Sequence, residues 1–375
     1  MKRLVKSLSR MKKSRSHSTT PKPYEYKFEE TGELFPGTVL RAVGGGLYDV
    51  RIEADPGLLP PLVDTLGAAI ENAEDGGLRA QCFVSGKLKK GRQLTSQPIA
   101  VGDRVMVRPL PGSGSSLSVR RVREGTIEEV LPRQKILGRS RYNKYLQVTV
   151  ANLDQIVVVM SLRSPELSTH RLDRFLVLAE ASDLRAVICI NKIDLVAKRS
   201  RKKELEPLQK LYEGLGYPVI AVAAEKDDNI EALRAELKDH ISAFIGSSGV
   251  GKSSLAMAVQ PELQLWVGEV MEIGKGRHTT TEVSLHPLDG GGYIADTPGI
   301  KTVTLLEQSE VNLPNCFPEF RAIAPRCRFN DCTHTHEPGC AVRAAVEAGT
   351  VAQARYDSYL RMLEDDLVSL RLARE

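Results

Sequence analysis

The chain has 375 residues, 42% of them hydrophobic, which is length and apolar content enough for two or three domains with cores of their own. No apolar run approaches the ~20 residues of a membrane span, and the opening residues do not read as a signal peptide, so a membrane partner and a secreted protein are not expected. The formal net charge is +5, but the first 24 residues carry eight Lys or Arg and no acid, which leaves the remainder near −3.

The stretch Met1 to Thr20 is rich in Ser, Lys and Arg. Residues 1–32 therefore read as a flexible basic tail, open to three interpretations: a solvated terminus, an attraction for nucleic acid, or an organellar transit peptide. Six cysteines are unevenly placed, three of them within 14 residues, so no disulfide framework is implied and the cytoplasm is the expected compartment.

Residues 33–138 read as a small β domain. Short strands are predicted at Thr38–Val43, Leu47–Ile52, Gln81–Val84, Val101–Val107 and Gly125–Val130, separated by Gly-rich turns. Five such strands suggest an OB-fold β-barrel. Asp55 to Gly77 is a long insertion that could hold a helix over Leu62–Ala73. Basic residues gather at Lys87, Lys89, Lys90 and Arg92, at Arg120, Arg121 and Arg123, and at Arg133, Lys135, Arg139 and Arg141. Beside a nucleotide switch they favour binding to an RNA backbone over plain surface solvation.

Residues 139–305 hold the parts of a guanine-nucleotide switch. Ala186–Ile190 is a continuous apolar run, suited to a parallel strand buried on both faces, and it leads into Asn191-Lys192-Ile193-Asp194. The Asp194 carboxylate can accept from both N1–H and the exocyclic amine of guanine, donors that adenine lacks in that arrangement; Lys192 would lie along the base. A backbone N–H in Val222-Ala223-Ala224 could reach guanine O6.

Ile241–Ile245 then reads as a strand, Gly246-Ser247-Ser248-Gly249-Val250-Gly251-Lys252-Ser253-Ser254 as a phosphate loop, and Ser254–Val259 as the opening of a helix. Its backbone N–H groups would turn toward phosphate at a helix N-terminus. Lys252 would reach the β- and γ-phosphates, and the Ser253 hydroxyl would ligate magnesium. Asp296-Thr297-Pro298-Gly299, after the short strand Tyr293–Ala295, is the candidate magnesium and γ-phosphate sensor, with Asp296 and Gly299 as its contacts. Ile300 stands next, where many switch GTPases carry a water-orienting Gln. His278 is the nearest substitute in sequence, in a loop that also offers Thr280 to magnesium.

At ordinary residue frequencies the phosphate-loop pattern arises by chance in roughly one or two chains per hundred of this length and the base-reader pattern in roughly four, so their joint occurrence in suitable contexts is informative. Their order is not the usual one. An ordinary switch runs phosphate loop, sensor, base reader, whereas here the base reader comes first and the sensor last. Such a rotation still builds one site if the sheet is closed at the old termini and cut elsewhere. Only about 27 residues then separate the sensor from Cys327, so ordering of the sensor by γ-phosphate is expected to tilt the C-terminal domain.

Residues 306–375 read as a zinc-binding and helical domain. Cys327-x4-Cys332-x-His334-x5-Cys340 offers three thiols and an imidazole, the ligand set of a closed tetrahedral zinc site, with His336 competing for the fourth position. Cys82, Cys189 and Cys316 read as single buried thiols. Helices are predicted at Val342–Ala348 and Ala352–Leu372, the second with Tyr356, Leu360, Leu363, Leu367 and Leu370 on one stripe.

The whole arrangement resembles the circularly permuted, small-ribosomal-subunit-dependent GTPases of the RsgA/YjeQ type. The resemblance spans about residues 35 to 365. It rests on Ala151-Asn152-Leu153-Asp154-Gln155, the phosphate loop, Gly276-Arg277-His278-Thr279-Thr280-Thr281, Phe317-Pro318-Glu319-Phe320 and the Cys-Cys-His-Cys set. It implies an OB barrel, a permuted P-loop GTPase domain and a C-terminal zinc domain with His334 in the ligand slot. It also implies His278 as the water-orienting residue, one structural Zn2+, and Mg2+ with GTP. By the same resemblance the chain would be a monomer that binds the small (30S) subunit and its rRNA late in assembly and hydrolyses GTP when docked. The insertion at 55–77 and Ala223, where the family often has Ser, depart from the pattern. Two other functions remain open: a GTP-gated rRNA scaffold without turnover, and a zinc-trafficking GTPase.

Overall fold

The computed structural model describes residues 34–53, 78–86, 88, 99–109, 123–141, 145–261, 283–296 and 312–372; at 78, 109, 123–124, 138–141, 145–147, 296 and 366–372 it describes the backbone alone. The basic tail, the 55–77 insertion, Lys87, Lys89, Lys90, Arg92, Arg120 and Arg121 lie outside the described residues. So do the 276–281 motif with His278 and Thr280, and Thr297 to Ile300 with Gly299.

Five strands close the first layer: β1 (Phe35–Gly44), β2 (Leu47–Ile52), β3 (Leu78–Val84), β4 (Arg104–Pro109) and β5 (Arg123–Val130). Pairing runs β1–β2–β3–β5–β4 and returns from β4 to β1, so the sheet is a closed barrel without a free edge. Only β3 and β5 pair in parallel. Inward positions alternate along the strands, and Val39, Val50, Ile52, Cys82, Val105, Val107 and Ile127 fill the interior. A hairpin, β6 (Ile136–Arg141) and β7 (Tyr145–Ala151), comes after the barrel.

Six further strands form the nucleotide-fold sheet: β8 (Gln155–Ser161), β9 (Arg185–Asn191), β10 (Val219–Ala221), β11 (Ile241–Ile245), β12 (Ser284–Pro287) and β13 (Tyr293–Asp296). Their spatial order is β10-β9-β8-β11-β13-β12, parallel throughout except for β12. Every residue of β8 and β11 is buried, the pattern of central strands covered on both faces. Alternation assigns the faces. Ile156, Val158 and Met160 pack with Leu172 and Leu176 of helix α1 (Thr169–Ala181) and with Leu205 and Tyr212 of α2 (Lys198–Gly214). Val157 and Val159 pack with Leu233 and Leu237 of α3 (Ile230–Leu237) and Leu255 and Val259 of α4 (Lys252–Val259).

The motif at 151–155 sits at the seam between barrel and sheet. Asn152, in the left-handed region at φ 54°, donates from Nδ2 to the Gly102 carbonyl and accepts at Oδ1 from the Gln134 N–H, both at 2.9 Å. Asp154 accepts at 2.7 Å from the Ile241 N–H at the start of the phosphate-loop strand. Gln155 donates to Glu236 O and Ser242 Oγ. These residues hold register at the amino ends of the parallel strands. Arg133, one of the basic residues considered for RNA, is committed to Asp103 through two hydrogen bonds of 2.7 and 2.8 Å.

The C-terminal module builds its core from Leu313, Phe317, Phe320, Ile323, Val342, Tyr356, Tyr359 and Met362, and Val177 of α1 completes it. Its two longer helices are α5 (Ala341–Glu347) and α6 (Gln353–Leu372), and a single helical turn spans Pro318–Arg321. The Phe317-Pro318-Glu319-Phe320 motif supplies two fully buried rings stacked at 5.0 Å and an acid, Glu319, that binds Arg355.

Candidate functional site

Parallel strands put all their carboxyl ends on one edge, and ligands of such sheets bind there. That edge gathers Ser161 from β8, Asn191 from β9, Gly246 from β11 and Asp296 from β13. The chain order of base reader and phosphate loop is thus irrelevant to their proximity: β9 and β11 flank β8 on its two sides.

The phosphate loop turns on glycine. Gly246 has φ 152°, and a Cβ there would meet the Val159 carbonyl oxygen at 2.2 Å. Gly251, at φ 94°, caps the N-terminus of α4, where a Cβ would meet Asn191 Nδ2 at 2.3 Å. Both positions exclude a side chain, so the backbone can approach a ligand closely at the positive end of the helix. Lys252 folds back over the loop, donating from Nζ to the carbonyls of Gly246 and Ser247 at 2.9 Å each. Val250 is buried beneath it.

The base reader is tied to that loop. Asn191, 2% exposed, donates from Nδ2 to Val250 O at 3.0 Å and accepts at Oδ1 from the Ala224 N–H at 3.2 Å. Of the three N–H groups considered for guanine O6, that of Ala224 is engaged by Asn191, that of Val222 by Ile190 O and that of Ala223 by Asp228 O. Lys192, held in the left-handed region at φ 59°, extends across the loop to donate to Gly249 O at 2.6 Å and Ser164 O at 2.5 Å. Ile193 anchors the turn in the core, and Asp194 sits in the 3-10 turn Ile193–Leu195 with its side chain 11% exposed and Lys226 Nζ 3.5 Å away. The loop after β8 has no recognisable motif, yet Ser164 and Pro165 border the phosphate loop on the far side. Asp296 ends β13 beside β11, in a ladder that pairs Ala243 with Ala295.

Cys327, Cys332, His334 and Cys340 offer donor atoms that all lie within 4.8 Å of one another, a set that can hold a metal ion. His334 Nδ1 is 3.6 Å from Cys327 Sγ and 3.5 Å from Cys340 Sγ. His336 points elsewhere: it is exposed and its Nδ1 meets Thr335 Oγ1 at 2.8 Å. His334 has φ 60°, and the loop around it is held from two sides. Tyr356 and Tyr359 donate their hydroxyls to the carbonyls of His334 and Thr333 at 2.7 and 2.6 Å. Glu337 accepts from the N–H groups of Thr333, Thr335 and His336. Burial works against that carboxylate, but its hydrogen bonds with Thr333 and the loop backbone hold it down at about 2. Sequence reasoning missed Glu337 and the two tyrosine clamps; the only signal was the position of Tyr356 on the predicted stripe. Cys82, Cys189 and Cys316 are buried thiols pushed up to about 12, 12 and 11, first by burial, and stand apart from this cluster.

The RsgA GTPase family model matches residues 130–306. A small ribosomal subunit biogenesis GTPase RsgA from Gemmatimonas aurantiaca is 40% identical over 312 residues, covering 82% of this chain and 96% of that relative. The chain belongs to the RsgA GTPase family. The RsgA of Thermotoga maritima is also 40% identical, over 77% of this chain and 90% of its own length. Among solved structures, YjeQ from Thermotoga maritima matches with TM-score 0.63 at 33% identity, over 89% of this chain and 99% of that one. YloQ, described as a circularly permuted GTPase, matches with TM-score 0.64 at 27% identity, over 92% and 99%. The barrel, the permuted nucleotide fold and the C-terminal cysteine–histidine cluster are thus the RsgA architecture.

Proposed function

We propose that this chain binds GTP on the carboxyl edge of β8–β13 and hydrolyses it under stimulation by the small ribosomal subunit, during that subunit's maturation. The observation that carries the reading is the joining of base reader to phosphate loop by Asn191 and Lys192, at 3.0 and 2.6 Å, which supports a single guanine-nucleotide site despite the permuted order. Asp194 reads guanine. The N–H groups of Gly246 to Ser254 and the Lys252 ammonium take the phosphates, for which Lys252 exchanges two carbonyl partners for a charged one. Ser253, Thr280 and Asp296 are assigned to magnesium, which when bound neutralises charge developing on the phosphates. Gly299 donates to the γ-phosphate, and His278 orients water where Ile300 cannot.

The relatives' names, which specify small ribosomal subunit biogenesis, support the partner. The closed barrel supports an rRNA contact, because this fold binds single strands through its face and loops. Zinc is the metal favoured for the cluster. Bonds of about 2.0 Å to nitrogen and 2.3 Å to sulfur at a tetrahedral angle put the donors about 3.5 Å apart, the spacing His334 keeps to Cys340. With all four positions supplied by the protein, the metal would be structural, which disfavours zinc trafficking. The chain is proposed to act as a monomer.

Multiple-turnover GTP hydrolysis with and without isolated small subunits tests the reading. Turnover that rises on adding subunits is expected; GTP binding with no turnover in either condition would leave the scaffold interpretation instead.

A further inference from the structure

The barrel and the sensor strand share a residue. Ser284, which opens β12, stands opposite Arg41 of β1 on one side and opposite Asp296 of β13 on the other. Neighbouring antiparallel strands are about 5 Å apart, so two ladder steps lead from the barrel to the candidate magnesium ligand. The packing is equally continuous. Leu40, next to Arg41, is 5% exposed and lies in one core with Leu285 and Ala295.

A side-chain clamp spans the same seam. The Arg51 guanidinium of β2 lies 5.6 Å from the ring centroid of Tyr293, whose hydroxyl lies among Arg51, Thr38 and Glu53. Thr38 is 1% exposed and donates to Glu53 at 2.8 Å. Tyr293 opens β13, three residues before Asp296. None of Arg51, Tyr293 or Ser284 reaches the phosphate loop through any described hydrogen bond, yet all three touch the strands that carry the sensor.

We propose that Arg51 and Tyr293 are positioning residues that couple the barrel to the sensor: RNA held on the barrel fixes Asp296 through the β1–β12–β13 ladder. The proposal rests on stimulation of hydrolysis by the small subunit. A packed seam of this kind transmits a shift only if the bound partner favours one arrangement of it over another. It places the stimulus at the β12 side of the sheet, away from β9, the strand that leads into the base reader.

Four variants test it in the full-length protein: Arg51→Ala, Arg51→Lys, Tyr293→Leu and Tyr293→Phe. Each is measured for GTP affinity, basal hydrolysis, affinity for isolated small subunits with a non-hydrolysable GTP analogue, and hydrolysis at saturating subunits. Arg51→Ala and Tyr293→Leu should keep the first three within about threefold and lose stimulation by about tenfold or more, the usual range of a coupling between sites. Arg51→Lys keeps a cation over the ring and should retain most of the stimulation. Tyr293→Phe keeps the ring but drops the hydroxyl, and its partial loss decides the matter should the larger substitutions fail to fold. Wild-type stimulation in Arg51→Ala and Tyr293→Leu, or a loss explained wholly by weaker subunit binding, overturns the proposal. Absence of stimulation in the unaltered protein overturns the functional reading itself, and the coupling with it, before any variant is compared.

Discussion

Arg355 of α6 reaches Asp173 of α1 at 2.6 Å, across 182 residues of sequence, with both side chains essentially sealed from water at 1% and 0% exposure. The same guanidinium binds Glu319 at 2.7 Å and lies 4.5 Å from the Phe317 ring centroid, while Tyr212 donates to Asp173 at 2.9 Å. The C-terminal module is thereby bolted to the helix that precedes the base-reader strand. Nucleotide-driven tilting of that module would have to carry α1 with it or open a buried ion pair.

Loss of Arg355 should therefore be severe. Arg355→Met leaves the Asp173 carboxylate buried without its cation, which typically costs about 3–5 kcal/mol. The double variant Arg355→Met, Asp173→Leu should recover part of that cost, since only Glu319, 8% exposed, is then left without its cation. Urea unfolding of the two variants decides it; equal destabilisation of both would mean that packing, and not charge, holds the joint.

His286 gives the barrel seam a pH dependence. Burial, and then the cations of Arg79 and Arg41, hold its imidazole down at about 4, against about 6.5 in an unfolded chain. Between those values the unfolded state takes up the proton and the folded state does not. Stability present above about pH 6.5 should therefore decline as the pH falls toward 4. Urea midpoints at pH 7 and pH 4.5 should converge for His286→Gln relative to the parent protein; parallel curves would show a solvated ring.

The strands that lead into the candidate nucleotide motifs were legible because each signal is local: an apolar run, then a short loop. Ile241–Ile245 and Leu47–Ile52 fall where their patterns place them. The hairpin β6–β7 was not predicted, although Leu146, Val148 and Val150 alternate with Gln147 and Thr149; the role of its Ala151-Asn152 end depends on distant contacts with Val101, Gly102, Gln134 and Lys135. Arg355 reads in sequence as one more charge on an exposed helix; its role depends on partners 36 and 182 residues away. The Tyr359 clamp was hidden likewise, because a stripe drawn through leucines passes beside Tyr359 and Met362, which the fold buries.

Nucleotide identity can be changed at Asp194. Asp194→Asn should weaken guanine binding and favour xanthine nucleotides, whose C2 carbonyl accepts from the new amide. Competition between the two nucleotides in a binding assay gives the answer, and an unchanged preference for GTP would move base reading elsewhere.

Binding and catalysis should separate at two residues. Lys252→Ala should impair nucleotide binding or turnover broadly, because the phosphates lose their cation. His278→Ala should leave GTP affinity nearly unchanged and lower stimulated hydrolysis by ~10²-fold, if it orients water. Full stimulated activity in that variant would transfer the role to another residue or to the subunit.

The metal cluster makes the last test. The purified protein should hold one zinc, lost on replacing Cys327, Cys332, Cys340 or His334 and kept in His336→Ala, whose ring faces Thr335 instead. Glu337→Gln should lower metal affinity without removing a ligand, because one amide oxygen cannot satisfy the three N–H groups that two carboxylate oxygens now serve. GTP binding should survive in every one of these variants, since the proposed nucleotide contacts all precede Cys327. Subunit-stimulated hydrolysis should fall with the zinc, because the loop's order depends on the metal and the module's aromatic core packs against His334. Metal analysis beside stimulated rates checks the link; zinc lost with stimulation intact would confine the metal to local folding.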